Sequence, residues 1–236
     1  MITIVIPVYN EEKIIAENLR RVIKFMKKYE KSYEIVVVDD GSGDATLDAA
    51  RAIAKRNWRV RVLKHGRNRG VGAAIRTGLR ASKGDIVVTL DCDLTYPPED
   101  IPIVVDAMKR HGADIAIGSP YAKGADFGGM SPIRLILSRG VNLMDQIIFG
   151  LPFTTPSSLF RAWNSKAAHG VRITFNRFEA ISESVINAHR QGFKIIEVPI
   201  KYRTVKGRKS RMKILNTIKR HLEMDAKLLF RGMRGG

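Results

Sequence analysis

The chain has 236 residues, 41 Lys+Arg against 23 Asp+Glu, and a formal charge of +18; 44% of it is hydrophobic and 27% charged. That composition buries a real core and excludes a wholly disordered chain, and the length suits one large domain or one domain with a small appendage. The single cysteine, Cys92, excludes an internal disulfide and points to a reducing compartment; residues 2–6 lack a basic leader, and no run of 18 apolar residues is present to span a bilayer.

The first half alternates strand and helix patterns. Residues 2–6 read as a short buried strand, and 11–28 as an amphipathic helix with Ile14, Ile15, Leu19, Val22, Ile23 and Met26 on one side. Strands follow at 34–38, 59–63, 86–90 and 114–117, separated by helices at 45–56, 71–81 and 101–109. Repeated β-α alternation predicts a mainly parallel sheet with helices on both faces. Ligands of such sheets bind beyond the C-terminal strand ends. After a Gly-rich loop at 118–131 come a helix at 133–149, a strand within 157–163, a helix at 178–191, and a strand at 194–202 broken by Pro199. A basic loop, 206–213, leads into an amphipathic helix at 214–230.

Charge is uneven along this pattern. Residues 190–236 hold 14 Lys+Arg and 3 Asp+Glu, net +11. Such a segment attracts anions: nucleic acid, anionic lipid head groups or phosphorylated ligands. Aromatics are only 7% and no recognition module is evident. Paired acids at three strand ends would also repel a phosphate backbone, so nucleic acid is not the expected partner.

Three strand ends carry polar chemistry. Asp91 and Asp93 follow a buried strand, and two carboxylates at i and i+2 in a turn can face one cation. Mg²⁺ or Mn²⁺ prefers such oxygen ligands together with substrate phosphates. Asp39-Asp40-Gly41-Ser42 closes the second strand, where an acid can hydrogen-bond a nucleotide's ribose or base. Pro7-Val8-Tyr9-Asn10-Glu11 closes the first, with Tyr9 placed to flank a base. His65 to Ala74 (HGRNRGVGAA) leads into a helix; its glycines permit close backbone approach and its arginines suit a diphosphate, but it lacks the Lys-Ser/Thr ending of a P-loop.

In order along the chain, Ile6-Pro7-Val8-Tyr9-Asn10-Glu11, Val38-Asp39-Asp40-Gly41-Ser42, Asn68-Arg69-Gly70-Val71-Gly72 and Asp91-Cys92-Asp93-Leu94-Thr95-Tyr96-Pro97-Pro98-Glu99 resemble the family 2 glycosyltransferases of GT-A fold. Within them the chain is most similar to the polyprenyl-phosphate (dolichyl-phosphate) mannose synthase branch, over roughly residues 2–215. The resemblance implies a GT-A domain at 1–212, with a nucleotide-sugar half at 1–118 and an acceptor half at 119–212, followed by a basic amphipathic helix at 213–236. It implies that Pro7, Tyr9, Glu11, Asp39, Asp40 and Arg69 surround the donor, and that Asp91 and Asp93 hold Mg²⁺ or Mn²⁺ on its diphosphate. Arg134, Arg161, Arg203 and Arg211 are implied as acceptor-phosphate ligands. Asp93, Arg161 and Glu183 are the expected catalytic residues, with Glu183 the base if the acceptor is a hydroxyl and Glu179 in reserve. Four residues depart from the branch: Thr95 stands in place of a Gln, Pro120 in place of an Arg-bearing segment, Thr155 in place of an Asp, and Leu159 in place of a Gly.

The expected reaction is a single inverting displacement at the anomeric carbon of a nucleotide sugar, GDP-mannose being favoured. A polyprenyl phosphate acceptor is already anionic and needs no general base; a lipid-linked glycan hydroxyl would need one. The two amphipathic helices and the basic tail suggest a seat on the cytoplasmic face of a membrane, either peripheral or anchored by a segment absent from this chain.

Overall fold

The computed structural model describes residues 1–125, 132–203 and 214–233, apart from the side chains of 132–134, 214–217 and 231–233. Seven strands form one sheet: β1 (Ile2–Val8), β2 (Tyr33–Asp39), β3 (Val60–Lys64), β4 (Ile86–Thr89), β5 (Ile115–Ser119), β6 (Arg161–Asn164) and β7 (Ile195–Pro199). Their order is β3-β2-β1-β4-β6-β5-β7. β6 runs antiparallel to both β4 and β5, and every other pairing is parallel. The helices are α1 (Ile15–Tyr29), α2 (Thr46–Ala54), α3 (Val71–Ala81), α4 (Ile101–His111), α5 (Pro132–Phe149), α6 (Ser165–Gly170), α7 (Glu179–Arg190) and α8 (Ile214–Met233).

The central strands β1, β2 and β4 are buried at nearly every position because both faces are covered. Side chains alternate across a strand, so Ile4 and Ile6 of β1 join Ile35 and Val37 of β2 beneath α1 and α4. Val5, Val36 and Val38 face the other way, into a core shared with α3, α7 and α8. The expected mainly parallel α/β sheet with helices on both faces is therefore the observed one.

Several boundaries differ from the sequence reading. Residues 11–14 form a turn in which the Ile14 and Ile15 amides donate to the Glu11 carbonyl, so α1 starts at Ile15. The strand expected within 157–163 begins only at Arg161. It is continued by the unexpected α6, whose N-cap Asn164 accepts from the Ala167 amide through its side chain. β7 is an edge strand that ends at Pro199, whose missing N–H falls on the open side, and the next amide, Ile200, still donates to the Ser119 carbonyl at 3.0 Å. The described part of the basic C-terminal segment, α8, packs on the body: Met224 and Leu228 are buried in the second core, and Arg190 of α7 donates to the Leu228 carbonyl at 3.0 Å.

Candidate active site

Parallel pairing brings the C-terminal ends of β1, β2, β3 and β4 to one edge. Val8 lies opposite Asp39, Asp39 opposite Lys64, and Val5 opposite Thr89. The segments that follow these strands hold Tyr9–Glu11, Asp39–Ser42, His65–Gly70 and Asp91–Thr95. β5 and β7 end at the same edge, and the antiparallel β6 begins there, which adds 155–161 and Tyr202–Arg203.

The first two loops are laced together. Ser42 Oγ accepts from the Asn10 amide at 2.9 Å, and Asn10 Oδ1 accepts from the Gly43 amide at 2.9 Å. Thr46 Oγ1 accepts from the Glu11 amide at 2.7 Å. Asn10 sits at φ +53°, in the left-handed region that asparagine tolerates. Tyr9 projects from this lattice, 42% exposed, with Pro7 and Glu11 half-buried beside it.

Asp39 and Asp40 are both buried, yet they do different things. Asp39 Oδ2 accepts from the Ser42 amide at 3.2 Å, while its Oδ1 has no protein hydrogen-bond partner. Asp40 is fully engaged within the protein. It accepts from the Arg69 amide at 3.0 Å and the Gly70 amide at 2.7 Å, and from His65 Nδ1 at 2.6 Å. Asp40 therefore secures the 65–70 loop, with both carboxylate oxygens taken up by the protein. Arg69 is tied through its backbone and leaves its side chain exposed.

The glycines of this loop also serve the protein itself. A Cβ on Gly70 (φ +102°) would meet the Asn176 carbonyl oxygen at 2.3 Å, and one on Gly72 would meet Ala180 Cβ at 2.2 Å. They let α3 press against the start of α7, and their close approach is filled by protein rather than held open for a diphosphate.

Asp91 and Asp93 stand on a tight turn, each partly exposed. The Leu94 amide donates back to the Asp91 carbonyl at 3.1 Å, and Leu94 takes φ +53°, a strained value for a branched residue, held by its burial. Thr95 reinforces the turn: its amide and hydroxyl donate to Asp93 Oδ1 at 3.0 and 2.9 Å. Asn18 of α1 donates to the Cys92 carbonyl at 2.9 Å and fixes the same turn from outside the motif. Sequence reading had no signal for Asn18, since it contacts the turn from a different element. Two accessible carboxylates on one rigid turn, offering only oxygen ligands, fit a hard divalent cation.

Arg161 is 1% exposed; its Nη1 donates to Ser184 Oγ at 2.6 Å, and its Nη2 donates to the carbonyls of Pro156 and Ile181. Burial pushes its guanidinium down to about 9, so it keeps its charge at neutral pH. It braces α7 against the 156 turn and is not placed to grip an acceptor phosphate. Glu183, fully buried, accepts from the Thr174 and Phe175 amides at 2.9 and 2.8 Å and from the Thr174 hydroxyl at 2.6 Å. A carboxylate so occupied acts as a structural bracket in this packing, and Glu179, the reserve, is likewise buried.

Thr155, one of the departures from the branch pattern, hydrogen-bonds Ser119 Oγ, and Ser119 Oγ in turn accepts from the Tyr121 and Ala122 amides at 3.0 and 3.1 Å. Arg203 lies at the edge, its side chain 46% exposed and 3.1 Å from Asp100. Burial pushes the Asp100 carboxyl up, and the charge and hydrogen bond of Arg203 oppose that. The side chain of Arg134, and Arg211 entirely, fall outside the described residues.

The Glycosyl transferase family 2 model matches residues 3–178, three-quarters of the chain and all four loops that follow β1 to β4. The chain is a family 2 glycosyltransferase. This glycosyltransferase is 32% identical over 205 residues to the dolichol-phosphate mannosyltransferase of Pyrococcus furiosus, covering 85% of this chain and 56% of that one. It is 35% identical over 202 residues to the undecaprenyl-phosphate 4-deoxy-4-formamido-L-arabinose transferase of Edwardsiella ictaluri, covering 85% and 59%. It thus spans less than two-thirds of the length of either relative. Glucosyl-3-phosphoglycerate synthase of Mycobacterium tuberculosis, solved with Mn²⁺, uridine diphosphate and glucosyl-3-phosphoglycerate, superposes with a TM-score of 0.71 at 21% identity, over 96% of this chain and 78% of that one. That likeness is one of fold, and the fold is GT-A. Within the family, the chain resembles the polyprenyl-phosphate sugar transferases.

Proposed function

We propose that this glycosyltransferase moves mannose from GDP-mannose to a polyprenyl phosphate at the cytoplasmic face of a membrane. The observation that carries the reading is the edge where Tyr9, Asp39 and the Asp91/Asp93 turn meet. Two relatives named for polyprenyl phosphates add the acceptor class. Tyr9 flanks the base. Asp39 Oδ1, which lacks a protein donor, accepts from the ribose or the base. Asp91 and Asp93 would hold Mg²⁺ or Mn²⁺, which when bound supplies positive charge to the diphosphate leaving group.

The engagement of Glu183 supports a phosphate acceptor over a hydroxyl. The acid singled out as base is held by three donors, and an anionic phosphate oxygen needs no base. Arg203 at the edge, with Arg134 and Arg211, would hold that phosphate, arginine matching its geometry. Ile136, Leu143 and Ile147 make an exposed apolar row on α5. On α8, Leu222, Leu229 and Phe230 are exposed among Lys219, Arg220 and Lys227. An apolar row flanked by cations suits a lipid surface with anionic head groups. Among the described residues no helix is long and apolar enough to cross a membrane.

The test offers the full chain GDP-mannose, UDP-glucose and other nucleotide sugars, with polyprenyl phosphate in anionic vesicles, with Mn²⁺ or with EDTA. Metal-dependent mannosyl transfer to the lipid phosphate is expected. Ile147→Ser and Phe230→Ser should weaken vesicle binding by about tenfold each, the scale of one large apolar side chain. Transfer only to a glycan hydroxyl, or only from a uridine donor, would overturn the reading.

A further inference from the structure

A second cluster of ligand-type side chains lies on other elements. Asp145 comes from α5, and His221 and Asp225 come from α8, where their i,i+4 spacing places them on one helix face. All three are buried, at 0%, 4% and 3% exposure. Their ligand atoms lie within 4.8 Å of one another. His221 Nε2 is 2.7 Å from Asp145 Oδ1 and 4.0 Å from Asp225 Oδ1.

The hydrogen bonding here is incomplete. Asp145 Oδ2 and both carboxylate oxygens of Asp225 are buried and receive no N–H or hydroxyl donor, and the two carboxyls face one another. Glu179, at the start of α7 and also buried, adds negative charge near the imidazole. One imidazole, even protonated, cannot balance these carboxylates. Buried charge of this kind is ordinarily paired or bound to a metal. The donors are one imidazole nitrogen and several carboxylate oxygens, drawn from two packed helices with a third alongside.

We propose that Asp145, His221 and Asp225 form a second divalent-metal site, of zinc type, that clamps α8 onto α5 and is separate from the donor metal of Asp91 and Asp93. Imidazole with carboxylates suits Zn²⁺ and Co²⁺, whereas Mg²⁺ favours oxygen ligands and retains water. A His and an Asp one helical turn apart supply two ligands from α8, and Asp145 supplies the third from across the helix pair. A cation among them would meet all three orphaned oxygens, which a single proton cannot do. The site would fix the two helices that bear the exposed apolar rows relative to one another. It draws on the buried cluster alone and stands whether or not the acceptor is a lipid phosphate.

The test uses the full chain, stripped with EDTA and reloaded with ZnCl₂ or CoCl₂, in wild type, Asp91→Asn/Asp93→Asn, Asp225→Asn and His221→Gln. One tightly held equivalent of zinc should persist in Asp91→Asn/Asp93→Asn. In Asp225→Asn it should be held more weakly by about tenfold or more. Cobalt should give the intense visible absorption of a low-coordinate nitrogen/oxygen site in the first two proteins and not in the last two. Zinc should raise Tm and protect α8 from proteolysis in the same pattern. If His221→Gln fails to fold, the near-isosteric Asp225→Asn still decides the matter. The proposal is overturned if zinc binding is lost in Asp91→Asn/Asp93→Asn and kept in Asp225→Asn. It is also overturned if Asp225→Asn stabilises the stripped protein while zinc binds neither form, since a proton then fills the cluster.

Discussion

On the side of the sheet edge formed by β1, β2 and β4, Asp91 and Asp93 stand half-exposed on a turn that Thr95 and Asn18 hold in place. On the side formed by β5, β6 and α7, the charged groups Arg161 and Glu183 are buried and bonded to the protein's own backbone. The same residue types therefore do opposite work a few strands apart. A half-buried carboxylate on a rigid turn remains within reach of a ligand. A buried one with three donors would have to abandon those donors first, at about 1–3 kcal/mol for each group left unpaired.

The largest expected effect separates the two sides. Asp93→Asn should lower glycosyl transfer by at least about 10²-fold, the scale of losing one preorganised charge-stabilising group. Its Tm should stay close to wild type. Glu183→Ala should do the reverse: a loss of about 2–4 kcal/mol of stability, or roughly 5–15 °C in Tm for a chain of this length, seen by calorimetry. If Glu183→Gln abolishes transfer while Tm is unchanged, the bracket assignment fails and the general-base reading returns.

The glycines sharpen the comparison at a smaller scale. Gly72→Ala should destabilise by about 1–3 kcal/mol, because its methyl would collide with Ala180. Gly66→Ala, with nothing within 4 Å of the added carbon, should be neutral or stabilise by up to about 1 kcal/mol. Equal effects in a denaturant titration would mean that the loop does not press on α7.

The smallest effect is a pH dependence at α8. Burial pushes the Asp225 carboxyl up to about 7, although His221 opposes it. Burial alone would lower His221, but the hydrogen bond and charge of Asp145 carry it above its usual value. Both groups bind protons more tightly in the folded chain, so the stability they contribute falls as pH rises. For Asp225 the loss runs from about pH 4 to about pH 7, and for His221 it continues above 6.5. In EDTA, the Tm of wild type relative to Asp225→Asn should therefore drop between pH 5.5 and 8. A difference that rises across this range would show that His221 is held neutral in the folded chain.

Much of the edge where β1, β2 and β4 end was legible because its motifs are local. Asp91-Cys92-Asp93 follows a buried strand, Asp39-Asp40 ends another, and a parallel sheet gathers such ends at one edge by construction. The α/β architecture followed from periodicity in the same way. The antiparallel β6 did not, because nothing in residues 157–164 states which way the strand enters the sheet. Asp40 and Asp39 are adjacent in sequence, and only their packing distinguishes a loop anchor from an acceptor with an open oxygen.

By itself the sequence determined the alternation of strands and helices, the family and the acidic turn after β4, because each is written in short-range pattern. Tertiary structure alone decided which charges stay within reach of solvent. Arg161 and Glu183 lie 22 residues apart, and each finds its partners on segments the sequence leaves unassociated with it. Asp145 meets His221 across 76 residues. Burial and hydrogen-bond saturation belong to the packed molecule, and they decide whether a charged side chain is free to do chemistry.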